Sequence, residues 1–322
     1  ITACSSWHVA WPIWPEPTWL AALDLDVQLE IGDLDGLPGD LRDISVRLQS
    51  EAGRARAPLR FMLAGARFEG EARGDVTAAP PRFDLSVVAR DSPLGGIAEV
   101  LFGAPYIDGS FGVFELAVAS EGVHPRELVS RLELTARLAG ARLTYGNFEG
   151  GEPVRVTLDS LRLAQPRGRP LTASLAGSLL GRPLQGTFQA ETLERIIREG
   201  RTRFTFDAKS GGVRASLSGL LAATSDTGGS DIDVRIAAAR AAELAPWFGF
   251  DSKSPLPVKL AGKVQVRRSA TSITGGSAAI GASALSFDFV SAVDGGRKAM
   301  RLSLVGERIE VAELQTLAPP GR

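Results

Sequence analysis

The stretch Leu23-Asp24-Leu25-Asp26-Val27-Gln28-Leu29-Glu30-Ile31 decides the fold class. Apolar side chains fall at every second position, and the positions between them hold Asp, Gln or Glu. A period of two belongs to a β-strand with one apolar and one wet face, because successive side chains leave a pleated strand on opposite sides. The same alternation returns along the chain. It is carried by Leu132, Leu134, Ala136 and Leu138, by Val154, Val156 and Leu158, and then by Leu161 and Leu163. It continues through Phe204 and Phe206, through Ile232, Val234 and Ile236, and through Val264 and Val266. Leu285, Phe287 and Phe289, then Met300, Leu302 and Leu304, complete it.

A short fragment recurs with these strands. Leu-Ala-Gly-Ala-Arg stands at 63–67 and again at 138–142, and Leu-x-Gly with a small or β-branched middle residue begins at Leu63, Leu138, Leu175, Leu217, Leu260 and Leu304. After the first interval of 75 residues the spacing is 37, 42, 43 and 44, within the range of repeat architectures. The fragments are expected to be hairpin corners, where glycine takes positive φ without steric cost. Short helices are expected at 93–102, 124–131 (Pro125 suits a first turn), 193–199, 240–248 and 310–317, capping an edge or an end of the sheet.

Composition narrows the function. The chain has 322 residues, a formal charge of −1 and 44% apolar residues, values of a folded chain with no electrostatic case for nucleic acid. One cysteine, Cys4, excludes an internal disulfide. Its context, Ile1-Thr-Ala-Cys-Ser5, looks like a lipoprotein cleavage box without the apolar stretch that precedes one; an incidental cysteine is the simpler reading. No segment of about 18 apolar residues spans a bilayer. Residues 1–18 read as an irregular end segment: Trp7–Trp19 holds four of the five tryptophans, a composition that packs on a preceding strand, a partner protein or a membrane interface. Residues 19–322 read as one repeating β unit with a soft boundary at 224–230.

Residues for chemistry are few. His8 and His124 stand alone, and with one cysteine they make no zinc set. Asp24-x-Asp26 and Asp231-x-Asp233 place two carboxylates on one strand face, but it is the wet face, so solvated charge is expected. Gly95-Gly96 and Gly275-Gly276-Ser277 lack phosphate-loop spacing and read as turns. No catalytic residue, metal ligand or cofactor site is expected. What the sequence supplies is a long apolar face, to be covered by a second sheet, by barrel closure, or by a guest in a curled sheet.

Three quoted segments carry a resemblance: Trp19–Ile31 followed by Leu41–Leu48, Leu63–Gly74 with Pro81–Val87, and Glu243–Phe250 with Pro255–Gly262. In this grammar of strand, glycine corner, strand and short helix, over residues 18–317, the chain resembles the AsmA-like proteins of the Gram-negative envelope, relatives of TamB and of the bridge-like lipid-transfer proteins. The resemblance implies a mainly β fold: a long antiparallel meander bent into a repeating β-groove, with a few short capping helices. It implies a non-enzymatic protein that binds or conducts the acyl chains of phospholipid or another acyl lipid between the inner and outer membranes. It implies a periplasmic location and an inner-membrane anchor through an N-terminal helix that this sequence lacks. The groove lining implied is Leu25, Val27, Leu29, Leu132, Leu134, Val156, Leu158, Phe204, Phe206, Val234, Ile236, Val264, Phe287, Phe289, Leu302 and Leu304. The alternative is a structural or assembly subunit of a larger membrane-associated complex with the same β fold.

Overall fold

The structure, a computed structural model, describes residues 24–34, 40–97, 107–145, 154–222, 229–248, 252–267, 270–294 and 297–315. Strands account for 72% and helices for 10%, which makes the chain mainly β: one open antiparallel sheet of seventeen strands with a few short helices. The expected end segment at 1–18, with Cys4, His8 and most of the tryptophans, lies outside the described residues.

The chain packs as two compact units, one formed essentially by residues 8–178 and the other by residues 179–191 and 195–322. Most of the expected soft boundary at 224–230 lies outside the described residues. The first unit carries β1 (Leu25–Leu34), β2 (Leu41–Glu51), β3 (Arg54–Leu63), β4 (Ala66–Asp75), β5 (Arg82–Pro93), β6 (Ile107–Glu121), β7 (Glu133–Tyr145), β8 (Val154–Gln165) and most of β9 (Leu171–Leu179). From β1 to β8, each strand pairs antiparallel with the next. The second unit carries β10 (Arg182–Ala190), β11 (Arg201–Ser210), β12 (Val213–Ala222), β13 (Ser230–Ala238), β14 (Val258–Val266), β15 (Ala270–Ile280), β16 (Ser283–Asp294) and β17 (Arg297–Arg308), again paired in chain order.

The helices are α1 (Pro125–Ser130), α2 (Leu193–Glu199), α3 (Ala241–Leu244), which runs on as a 3-10 turn at Ala245–Phe248, and α4 (Val311–Gln315); one further helical turn covers 95–97. They occur where the 3.6-residue pattern places them, and Pro125 opens α1. They cap strand ends. α3 is the clearest case: Ala241 and Leu244 close a buried cluster with Val213, Ala238 and Val258, against which Ile236, Leu260, Ile280 and Trp247 pack. The amides of Ala241 and Ala242 donate to the carbonyls of Leu256 (2.7 Å) and Ser254 (3.1 Å), which fixes the helix to the incoming strand. In the first unit, the buried Ser120 donates to the carbonyl of Leu128 in α1 at 2.6 Å.

The repeated Leu-x-Gly fragment corrects an expectation. Only its first copy is a hairpin corner: Ala64 (φ 50°) and Gly65 (φ 81°) turn β3 into β4, the pair of positive φ values a two-residue turn requires. The other five copies lie inside strands, in β7, β9, β12, β14 and β17. In β9 and β12 the glycine serves close approach. A Cβ on Gly219 would stand 2.1 Å from the carbonyl oxygen of Asp231 on β13, and one on Gly177 would stand 2.0 Å from that of Thr157 on β8. The two Gly-Gly pairs are not turns either. Gly275-Gly276 forms a β-bulge in β15, where the registers with β14 and β16 both slip by one, and Gly95-Gly96 opens the helical turn at 95–97.

Candidate functional site

The cross-strand registers assemble the alternating apolar positions into one face in each unit. In the second unit the rows read Phe188–Phe206–Leu217–Val234–Gly262 and Gly276–Phe287–Leu304. A neighbouring row pairs Ala190, Phe204, Gly219, Ile232 and Val264. Large side chains stand opposite one another from Phe188 to Val234, and glycine faces Val234 and Phe287. In the first unit, Val27–Leu48 and Leu29–Val46–Leu59–Gly70–Val87–Leu116–Ala136–Leu163 do the same. Stacking of Phe61 on Phe68 (5.0 Å between centroids) and edge contacts from Phe68 to Phe114 (6.1 Å) and from Phe114 to Phe111 (6.3 Å) add an aromatic centre.

The first unit holds a feature that alternation alone does not give. The inward positions change parity along four adjacent strands: after Ala89 comes the buried Ser92 in β5, after Phe111 comes Phe114 in β6, after Leu138 comes Ala141 in β7, and after Leu158 comes Leu161 in β8. The registers stay in step across the change, so the slips fall in one row: Asp91, Gly112, Gly140 and Asp159, by count along the ladders. Asp91 (φ 45°) and Gly140 (φ 64°) leave the β region there. The rings of Phe111 and Phe114, three residues apart, touch, which a regular strand forbids because i and i+3 leave opposite faces. The row is thus a crease that keeps both halves of the apolar side together, and it explains why Val156 and Leu158 belong with Leu134 despite their parity.

Of the sixteen expected lining residues, all but Leu132 stand on strands; Leu132 lies just before β7, its carbonyl accepting from Gln165 Nε2 at 3.3 Å. Leu158 and Phe204 are buried, whereas Leu134, Val156, Phe206, Val234, Ile236, Val264, Phe287 and Phe289 are half-buried. On β1 and β17 the same face lies open, with Val27, Leu29, Leu302 and Leu304 about half or more exposed. Among the described residues the strands form one sheet, and α3 packs at its strand ends. Ile236 packs under α3 and so belongs to the capped end. Sequence reading missed Leu85, Leu116, Leu217 and Ile273, which the registers place in the same rows. Leu85 and Leu116 lie in alternating runs; Leu217 and Ile273 are flanked by Ser and Thr, which blurs the pattern.

The opposite face is polar. Arg47 grips Asp26 with two hydrogen bonds (3.0 and 2.7 Å), which holds the Asp26 carboxyl below its ordinary pKa. Asp231 accepts from Arg267 (2.9 Å) and Gln265 (3.0 Å), with the same effect, led by Arg267. Asp26 and Asp231, one from each Asp-x-Asp pair, are therefore held in ion pairs on the wet face. Glu71 is shared by Arg56 and Arg73, and the hydrogen bond from Arg56, then that from Arg73, pulls its carboxyl down. Among the described residues no three His, Cys, Asp or Glu side chains gather as a metal-binding group, and no helix is long and apolar enough to cross a membrane. His124 caps the start of α1 without a side-chain hydrogen bond. Three shallow pockets, of about 630, 580 and 970 Å³, lie on this polar face.

Comparison with protein families, with curated proteins and with solved structures finds no match for this chain.

Proposed function

We propose that the chain is an AsmA-like, non-enzymatic protein of the Gram-negative envelope that holds lipid acyl chains along the apolar face of its sheet. One observation supports this reading: in each unit the apolar rows continue from strand to strand, and the described strands form a single sheet with no second sheet among them. A folded chain that keeps such a face in water gives up about 0.8 kcal/mol for each CH2 left unburied. An acyl chain laid along the rows removes that loss without needing a catalytic group. Interlocked aliphatic and aromatic side chains give a lining with no deep local trap, which suits movement along it. The proposed location is the periplasm, with an inner-membrane anchor outside this sequence and transfer toward the outer membrane.

The test is lipid recovery. The chain, produced in a Gram-negative envelope and purified without detergent, is examined by native mass spectrometry and by solvent extraction. Bound phospholipid released on unfolding is the expected result. A lipid-free protein that remains monomeric and soluble would overturn the reading and favour a scaffold subunit.

A further inference from the structure

The second unit carries on its polar face a cluster of cations that takes part in no ion pair among the described residues. Arg214 on β12 and Lys259 on β14 both oppose Ala237 of β13, one from each side. Arg235 stands two residues before Ala237 on the same strand face, opposite Ser216 and Ala261. At about 4.8 Å between strands, the Cα atoms of Arg214 and Lys259 are roughly 10 Å apart, so three long cationic side chains surround one methyl group. Lys209 lies directly opposite Arg214 and adds a fourth. Arg214, Arg235 and Lys259 rim a shallow pocket of about 580 Å³ whose floor is small: Ala237, Ala261, Ala279 and Ala284, with the hydroxyls of Ser216, Ser277 and Ser286.

The charge balance sets this pocket apart. The ion pairs of this part of the unit are Arg240–Glu243, Arg267–Asp231 and Arg308–Glu310; none of the four cations takes part in an ion pair among the described residues. The only carboxylate on the pocket rim is Glu307, at hydrogen-bond distance from Ser286 (3.4 Å). Asp207 lies opposite Ser216 and accepts from its hydroxyl. The first unit handles the same problem differently. Arg56 and Arg73 also face each other across the ladder, but Glu71 sits between them; Arg82 has Asp84 at 3.4 Å. Like charges directly opposite on a sheet oppose folding, and in the second unit no ion pair among the described residues relieves Lys209 opposite Arg214.

We infer that Arg214, Arg235 and Lys259 form a binding site for a phosphate ester. A phosphate brings the two negative charges and the several acceptor oxygens that convergent guanidinium and ammonium groups satisfy. The pocket is much larger than a bare ion and lies in the range of small-molecule sites, so it admits the organic part of the ester over the alanine floor. The same chemistry is offered by a soluble phosphate ester and by the headgroup of an anionic phospholipid. The site lies on the face opposite the apolar rows and stands independently of the lipid-binding reading.

Glycerol 3-phosphate and vesicles of phosphatidylcholine with or without phosphatidic acid separate the two sources, because they present the same phosphomonoester free or at a membrane. Binding of each probe is measured on the whole chain by calorimetry and by vesicle flotation, at low and at physiological salt. Expected are saturable binding of at least one phosphomonoester probe, about a tenfold loss for Arg235→Ala, and loss of detectable binding for Arg214→Ala, Arg235→Ala and Lys259→Ala combined. Lys259→Arg retains binding. Arg142→Ala, Arg155→Ala and Arg162→Ala together remove the same charge from the first unit and leave binding unchanged, with circular dichroism confirming that every variant is folded. The inference is overturned if wild-type protein binds neither probe, or if the two triple variants lose binding equally, which would mark a diffuse charge effect.

Discussion

Replacing Phe206 by Asp separates an apolar face that accepts a guest from one that is merely core. Phe206 is half-buried between Phe188 and Leu217 on neighbouring strands. Phe204, two residues away on the same face, is 7% exposed and stacks on Phe188 with centroids 6.0 Å apart. Fully burying a Phe side chain contributes about 1.5–3 kcal/mol, so the half-buried ring of Phe206 supplies roughly half of that. Aspartate disfavours a strand by up to about 1 kcal/mol more. Because Phe206 is only half-buried, the new carboxylate still reaches water, and the total for Phe206→Asp comes to about 1–2.5 kcal/mol. At Phe204 the same carboxylate is enclosed and unpaired, and the cost rises by several kcal/mol. Urea titration of both variants, with lipid extraction of each folded protein, makes the comparison. Phe206→Asp should stay folded with a lowered midpoint and a clear loss of copurified lipid, whereas Phe204→Asp should fail to fold. If Phe206→Asp unfolds as completely as Phe204→Asp, the face is closed. If it folds and retains wild-type lipid, the face is not where acyl chains bind.

Other variants probe the same physical account. Gly219→Ala should destabilise by about 2–4 kcal/mol, because its Cβ meets a backbone carbonyl oxygen at 2.1 Å that moves only with β13; Gly168→Ala, at φ 63° with open space around it, should cost about 1 kcal/mol. Leu244→Ala, in the buried cluster under α3, should cost about 2–4 kcal/mol by thermal melt, and Leu302→Ala, 57% exposed on β17, less than 1 kcal/mol. Glu313 in α4 accepts from the amides of Ala282 (2.9 Å) and Ser283 (3.0 Å) and from the Ser283 hydroxyl (2.8 Å). These bonds, led by that from Ala282, hold its carboxyl below the ordinary value of 4.5. Its folded pKa being depressed, the stability it contributes is present above the unfolded value and is lost as pH falls through the folded one. Urea midpoints of Glu313→Gln should therefore differ from wild type at pH 7 and converge with it in acid; an unchanged gap below pH 3 would refute the assignment.

Strand type and strand face were legible in the residues because a period of two is a local property of the pleat. Leu25, Val27 and Leu29 share a face whatever they pair with, and the apolar positions of β11 and β13 were equally plain. The short helices were legible for the same reason, down to Pro125 at the start of α1. The role of the Leu-x-Gly fragments was not. A glycine at positive φ in a turn and a glycine under a neighbouring carbonyl look alike in sequence, and only the partner strand distinguishes Gly65 from Gly219.

The sequence by itself determined that this chain is an antiparallel β protein with one oily and one wet side, because alternation acts within a few residues. Only the tertiary structure decided that the described strands join in a single sheet, that four strands crease together at Gly112 and Gly140, and that Arg214, Arg235 and Lys259 gather around Ala237. Those outcomes depend on register, and register joins residues tens of positions apart through pairings that no local pattern encodes.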